Sequence, residues 1–119
     1  MPRTPAELVA KAREQVRICS CAEAVVWIEH NPHGRVVDVR EPAEHAAGPI
    51  GGSVNIPRGL IEFQIEAACQ GPGTPILLFC ASGGRAALAA MALEELGYSA
   101  VTAVIGSFGD LSKLLAEAD

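Results

Sequence analysis

Short aliphatic segments alternate with longer segments of helical spacing along the chain, and this alternation constrains the fold more than any other feature. The short segments are rich in Val, Ile and Leu and read as strands that are apolar on both faces. They occupy 16–19, 35–40, 53–56, 76–79 and 100–105. Because parallel strands are connected by helices and are buried on both sides, this pattern predicts an α/β fold with a parallel sheet and helices on both faces.

Capping residues mark several of the predicted helices. Thr4 or Pro5 opens the first helix, whose apolar positions share one face. Ser20 is the predicted N-cap of a second helix over 21–30, because Glu23 completes a capping box. Further helices are predicted over 41–46, 59–69, 86–96 and 110–118, with turns at 48–52, 70–75 and 106–109.

Length and composition exclude several classes of protein. A chain of 119 residues is long enough for one domain with its own core, so we expect a single domain over 1–119. The net charge of −5 argues against a nucleic-acid partner. No apolar run is long enough to span a membrane, and the first residues lack the apolar region of a signal peptide. We therefore expect a cytoplasmic location and no membrane partner.

The most informative segment follows the strand predicted over 76–79. Cys80 is the first residue after that strand, and the neutral Ala81 and Ser82 precede Gly83, Gly84 and Arg85. Ligands of open α/β sheets bind beyond the carboxyl ends of the strands, where this segment lies. Glycines allow the backbone to curl so that several N–H groups point inward at the start of a helix. Such a loop is expected to stabilise a thiolate, as is the Arg85 guanidinium if it lies near, and this makes Cys80 a candidate nucleophile.

Two motifs of this chain resemble those of single-domain rhodaneses, which are sulfurtransferases. The segment 80–85 is similar to the six-residue active-site loop of that family. The segment 37–57 reads VDVREPAEHAAGPIGGSVNIP. It is similar to a family signature that runs from Asp-x-Arg through an acidic residue and Gly-His-Ile to Asn-Ile-Pro, although Pro49 stands where the family often has His. The resemblance covers about 16–116, which leaves 1–15 as an N-terminal helical extension.

The resemblance implies a rhodanese-like fold with a central five-stranded parallel sheet and a two-step transfer of sulfane sulfur. Cys80 would take the outer sulfur of a small anionic donor such as thiosulfate as a persulfide, and cyanide, a thiol or an acceptor protein would remove it. Residues 81–85 would supply the N–H groups that hold the sulfur, with Arg85 as a catalytic residue. Because Ala81 and Ser82 are neutral, Arg85 and Arg58 remain to attract the anion. No cofactor is implied.

Two other functions remain open at this stage. A phosphatase or arsenate reductase also uses a Cys–Arg loop, but phosphatase loops place five residues between Cys and Arg, whereas this chain has four. A non-catalytic sulfur-carrier or regulatory module would share the fold without turnover.

The remaining polar and sulfur-bearing residues are predicted to serve the structure. Asp38 and Arg40 end a buried strand and are interpreted as an ion pair or loop anchor, with Glu44 or the backbone as partner. His45 is expected to be solvated. Without two CxxC pairs, no metal site is predicted. The other three cysteines are expected to be thiols that pack in or against the core: Cys19, Cys21 and Cys69.

Overall fold

The computed structural model describes residues 1–118 and confirms the predicted parallel sheet. Its five strands are β1 (Arg17–Cys19), β2 (Arg35–Asp38), β3 (Ser53–Asn55), β4 (Ile76–Phe79) and β5 (Val101–Val104). They lie in the order β1-β5-β4-β2-β3, and every neighbouring pair is parallel. The helices are α1 (Pro5–Gln15), α2 (Cys21–His30), α3 (Pro42–Ala47), α4 (Ile61–Ala68), α5 (Gly84–Glu95) and α6 (Phe108–Glu117).

Helices cover both faces of the sheet, and the central strands β4 and β5 are buried along their whole length. Along β4, Ile76 and Leu78 pack with α4 and α5, whereas Leu77 and Phe79 pack with α2 and α6. All four side chains are essentially inaccessible to solvent. The helix α1 packs along α5 and buries Ala12 completely, so the N-terminal helix is part of the packed domain. No helix within residues 1–118 is long and apolar enough to cross a lipid bilayer.

The predicted capping residues are confirmed, and the starts of three helices differ from the prediction by two residues. Thr4 and Ser20 cap α1 and α2 through complete capping boxes. The predicted turn at 106–109 is partly wrong, because the Ser107 side chain accepts a hydrogen bond from the Asp110 N–H and starts α6 at Phe108. The helix α5 begins at Gly84. The helix α4 begins only after a 3-10 turn at Arg58–Leu60.

The order of the strands creates a crevice at one edge of the sheet. The strands β2 and β4 are neighbours in the sheet. The connection after β2 leads to β3 on one side of this pair, and the connection after β4 leads to β5 on the other side. The connections at the carboxyl ends of β2 and β4 therefore diverge, which is the position where open α/β sheets bind their ligands. Asp38 ends β2 and Cys80 follows β4 directly, so both motifs found in the sequence meet at this crevice.

Candidate active site

Cys80 lies at the base of a curled loop between β4 and α5. Its side chain is buried, and its Sγ accepts two backbone N–H groups, from Gly83 at 3.0 Å and from Ala86 at 3.4 Å. Gly83 is within the 81–85 loop that the sequence predicted as the source of N–H groups. Ala86 was not predicted, although it lies in the first turn of α5, where N–H groups lack helical partners. The sulfur is therefore held at a helix N-terminus, which favours negative charge.

Gly83 is required at its position for two independent reasons. Its φ of +110° is a left-handed conformation that side chains disfavour. A Cβ added there would also lie 2.9 Å from the Cα of Ile105, just beyond β5. Both constraints determine the position of the Gly83 peptide group, whose N–H donates to Cys80 Sγ.

Arg85 is engaged by a carboxylate from another segment. Its Nη1 and Nη2 donate to Glu44 Oε1 and Oε2 at 2.7 and 3.1 Å, which makes a two-pronged ion pair across the crevice. The hydrogen bond from Arg85, helped by the Glu41 N–H, lowers the pKa of Glu44 to about 2. Of the two partners that the sequence offered for Asp38 and Arg40, Glu44 or the backbone, the structure shows the backbone, because Arg40 donates to the Gly48 carbonyl and Glu44 pairs with Arg85.

Arg58 follows β3 at the same edge of the sheet. Its backbone N–H donates to the Val39 carbonyl at 3.0 Å, and its Nη1 lies 3.1 Å from Glu62. Each of the two arginines that the sequence predicted to attract an anion, Arg58 and Arg85, faces a carboxylate. Their role in attracting an anion stays a prediction. The two neutral loop residues, Ala81 and Ser82, are exposed to solvent.

Asp38 and Arg40 form the predicted ion pair, buried beneath the loop. Arg40 donates to both Asp38 carboxylate oxygens at 2.8 to 3.2 Å and to the Gly48 carbonyl at 2.8 Å. Its guanidinium also lies 3.7 Å from the centre of the Phe108 ring. Sequence analysis missed Phe108, whose own N–H donates to the Ala81 carbonyl at 2.9 Å. This aromatic residue therefore connects the buried ion pair to the Cys80 loop.

His45 is not a solvated side chain as the sequence suggested. Its Nδ1 lies 2.9 Å from Asp38 Oδ2, because α3 folds back over the end of β2. Nδ1 carries the proton in this contact, since a carboxylate only accepts hydrogen bonds. Asp38 thus organises both Arg40 and His45.

We predict that Asp38→Asn destabilises the domain by about 3–5 kcal/mol, because it leaves the buried charge of Arg40 without its partner. Burial alone would raise the pKa of Asp38, but the hydrogen bonds from Arg40 and His45 hold it below its usual range. This contribution to stability is present above the unfolded-state pKa and is lost as the pH falls through the folded-state pKa.

Urea unfolding from neutral pH down to about pH 2 measures this effect, and the difference between wild type and variant should shrink below about pH 4. Glu62→Gln, at the more exposed pair with Arg58, is the control and should cost less than about 1 kcal/mol. A constant difference between wild type and Asp38→Asn at every pH would contradict the prediction.

The three other cysteines differ from Cys80 in their surroundings. Burial raises the pKa of Cys19 to about 11, with the charges of Glu23 and Cys21 acting in the same direction. Burial likewise raises the pKa of Cys21 and of Cys69. All three are free thiols, and Cys21 Sγ packs directly against Gly106. The interpretation of these cysteines as packing thiols agrees with this geometry.

The Cys80 sulfur accepts backbone N–H groups at the point where the strand order of the parallel sheet reverses. The domain therefore belongs to a class of α/β domains that hold a candidate nucleophilic cysteine at this edge of the sheet. The family model of the rhodanese-like domain matches residues 20–113. The chain belongs to the rhodanese-like domain family.

Similar proteins agree with this assignment. The chain is 30% identical over 93 residues to the thiosulfate:glutathione sulfurtransferase of Saccharomyces cerevisiae, covering 69% of this chain and 67% of the relative. The structure of a human single-domain sulfurtransferase aligns with a TM-score of 0.67 at 25% identity, covering 80% of this chain and 94% of that one. A Rhodopseudomonas palustris protein of unknown function, described as a possible tyrosine phosphatase, aligns with a TM-score of 0.79 at 27% identity over 96% of each chain.

The family and the two relatives named as sulfurtransferases support a sulfurtransferase-type function in general.

Proposed function

We propose that this protein transfers a sulfane sulfur through a persulfide on Cys80. The Cys80 thiolate attacks the outer sulfur of the donor, an S–S bond forms on Cys80, and the donor's own bond to that sulfur breaks. The electron pair of the broken bond leaves with the rest of the donor. A thiophilic acceptor, a thiolate or cyanide, then attacks the outer sulfur and regenerates the Cys80 thiolate.

The observation that carries this proposal is the pair of backbone N–H groups on Cys80 Sγ. Gly83 and Ala86 hold the sulfur at 3.0 and 3.4 Å, and N–H groups in such a loop stabilise an anionic sulfur. The curl of the loop would place further N–H groups, from 81–85, around the outer sulfur of the persulfide. The positioning is supplied by the backbone, so the site needs neither a histidine base nor a metal for the proposed steps.

The donor class that the family resemblance offers is a small anion such as thiosulfate, and the acceptor is a thiol, cyanide or an acceptor protein. The name of the yeast relative pairs thiosulfate with glutathione, which makes these two compounds the first to test. We expect purified protein to release sulfite from thiosulfate when glutathione or cyanide is present. Double-reciprocal plots at several acceptor concentrations should be parallel, as a two-step mechanism requires.

A phosphatase is the second candidate, because the similar Rhodopseudomonas palustris protein is described as a possible tyrosine phosphatase. Two observations weigh against it. Only four residues separate Cys80 from Arg85, which makes a narrower cradle than the five of phosphatase loops. Arg85, which would have to bind phosphate, is held by Glu44 through both Nη atoms. Turnover of an aryl phosphate that disappears in Cys80→Ala would overturn this ranking.

A sulfur carrier without turnover differs from an enzyme in the acceptor that it needs to release its sulfur. A carrier would load one sulfur per chain and stop, and an added partner protein would be needed to unload it. An enzyme should release many equivalents of sulfite per chain with a small thiol alone.

A further inference from the structure

We propose that Glu44 is a specificity-determining residue that disfavours dianionic donors and makes low-charge persulfides the preferred donor class. This inference rests on the proposed sulfurtransferase function and names the substrate class of the same site. The relevant donors carry an outer sulfur on an organic thiol, R–S–SH, with little negative charge near the reacting sulfur.

The first observation is the geometry of Arg85, the cation of the Cys80 loop. Both of its terminal nitrogens are bound to the two oxygens of Glu44, at 2.7 and 3.1 Å. The hydrogen bonds to Glu44, and in the same direction the charges of Cys80 and Glu41, raise the pKa of Arg85. The positive charge of Arg85 is therefore balanced by a carboxylate.

The second observation is that the positive charges of the neighbouring arginines are also paired with carboxylates. Arg40 follows β2 and is buried against Asp38 at 2.8 Å. Arg58 follows β3 and pairs with Glu62 at 3.1 Å. Within residues 1–118, each arginine on the segments that leave β2, β3 and β4 thus has a carboxylate partner. The Arg58 pair is the weakest of these, because only Nη1 contacts Glu62 and the buried Nε has no hydrogen-bond partner in the described residues. A carboxylate nevertheless offsets the charge of each arginine that an incoming dianion would meet at this edge.

The chemistry of the two donor classes differs in the charge that the site must accept. With thiosulfate, the Cys80 thiolate and a dianion become the Cys80 persulfide anion and sulfite, so three negative charges meet in the crevice. With an organic persulfide, the thiolate takes the outer sulfur, the S–S bond breaks, and the proton of R–S–SH leaves on the thiol R–SH. One negative charge then remains throughout, and the backbone N–H groups of Gly83 and Ala86 suffice to hold it.

Glu44→Gln removes the negative charge of Glu44 and keeps a side chain of nearly the same shape. Glu44 Oε1 also accepts the Glu41 N–H at 2.9 Å at the start of α3. A glutamine keeps that acceptor, since Gln serves at this capping position as Glu does. It also keeps an oxygen for one Arg85 nitrogen. The control is Glu94→Gln, an equal charge change on an exposed residue of α5, nine residues and about 14 Å along the helix from Arg85.

The experiment compares kcat/KM for thiosulfate and for 2-hydroxyethyl persulfide, whose organic part is uncharged, in the full chain with glutathione as acceptor. We expect Glu44→Gln to raise the value for thiosulfate about tenfold and to change that for 2-hydroxyethyl persulfide less than about twofold, because the removed charge acts mainly on the dianion. Glu94→Gln should resemble wild type with both donors. Salt supplies a second measurement that needs no variant. Adding salt should raise kcat/KM of the wild type for thiosulfate, since it screens repulsion.

The outcomes separate this inference from the proposed function. If wild type takes sulfur from neither donor onto Cys80, the proposed function itself fails. If it takes sulfur and Glu44→Gln folds but leaves thiosulfate unimproved, Glu44 does not set selectivity. A fall in kcat/KM for thiosulfate with added salt in the wild type would also overturn the inference, because it would reveal an uncompensated cation that attracts the donor.

Discussion

Replacing Cys80 with Ala should abolish sulfur transfer while leaving the domain folded. Cys80 is the one sulfur in residues 1–118 for which the structure shows backbone N–H donors, from Gly83 and Ala86. Without the nucleophile no persulfide forms, and the rate should fall by at least about a thousandfold. Sulfite release from thiosulfate in the presence of glutathione measures the loss.

The other cysteines provide matched controls for this variant. Cys19→Ala removes a buried thiol and Cys69→Ala a half-buried one, and burial raises the pKa of both thiols. Both variants should keep the wild-type rate to within about twofold, since they lie outside the reacting groups. If Cys80→Ala kept most of its activity, or if Cys69→Ala lost it, the nucleophile would be a residue other than Cys80.

Gly83→Ala should have the second-largest effect on sulfur transfer, and it should also destabilise the domain. The substitution places a side chain at a φ of +110° and a Cβ 2.9 Å from the Cα of Ile105. We expect a loss of about 1–3 kcal/mol in the free energy of unfolding from the backbone strain. The peptide that donates to Cys80 must also shift, and losing one such donor should lower kcat about a hundredfold.

The adjacent Gly84 is the control for Gly83. A Cβ there would meet only the Val9 side chain at 3.6 Å, which is ordinary contact, and its φ is not positive. Gly84→Ala at the start of α5 should leave stability unchanged or raise it by up to about 1 kcal/mol. Urea unfolding of the two variants side by side tests the contrast. Equal stability losses would mean that the loop tolerates neither side chain and that the positive φ is not the cause.

Much of the fold could be predicted because its signals are local. The aliphatic run at 76–79, the capping box of Ser20 and Glu23 and the glycines after Cys80 each lie within a few residues of one another. Aliphatic strands separated by helices leave few alternatives to a parallel sheet. For the same reason the position of Cys80 at the carboxyl edge of the sheet followed from sequence.

The charge arrangement of the site could not be predicted because its contacts join distant segments. Glu44 and Arg85 are 41 residues apart, and only the packing of α3 beside the Cys80 loop brings them together. The contact of Phe108 with Arg40 depends in the same way on where α6 starts. Spacing along the chain indicates which residues reach the edge of the sheet, but not which partner each of them binds there.

The central claim, a persulfide on Cys80, is tested most directly by the mass of the intact protein after exposure to thiosulfate or 2-hydroxyethyl persulfide. Wild type should gain one sulfur atom per chain, the added mass should map to the peptide that contains Cys80, and glutathione should remove it. Cys80→Ala should gain none under the same conditions. Wild type that stays unmodified with both donors, or an adduct that persists in Cys80→Ala, would contradict the account.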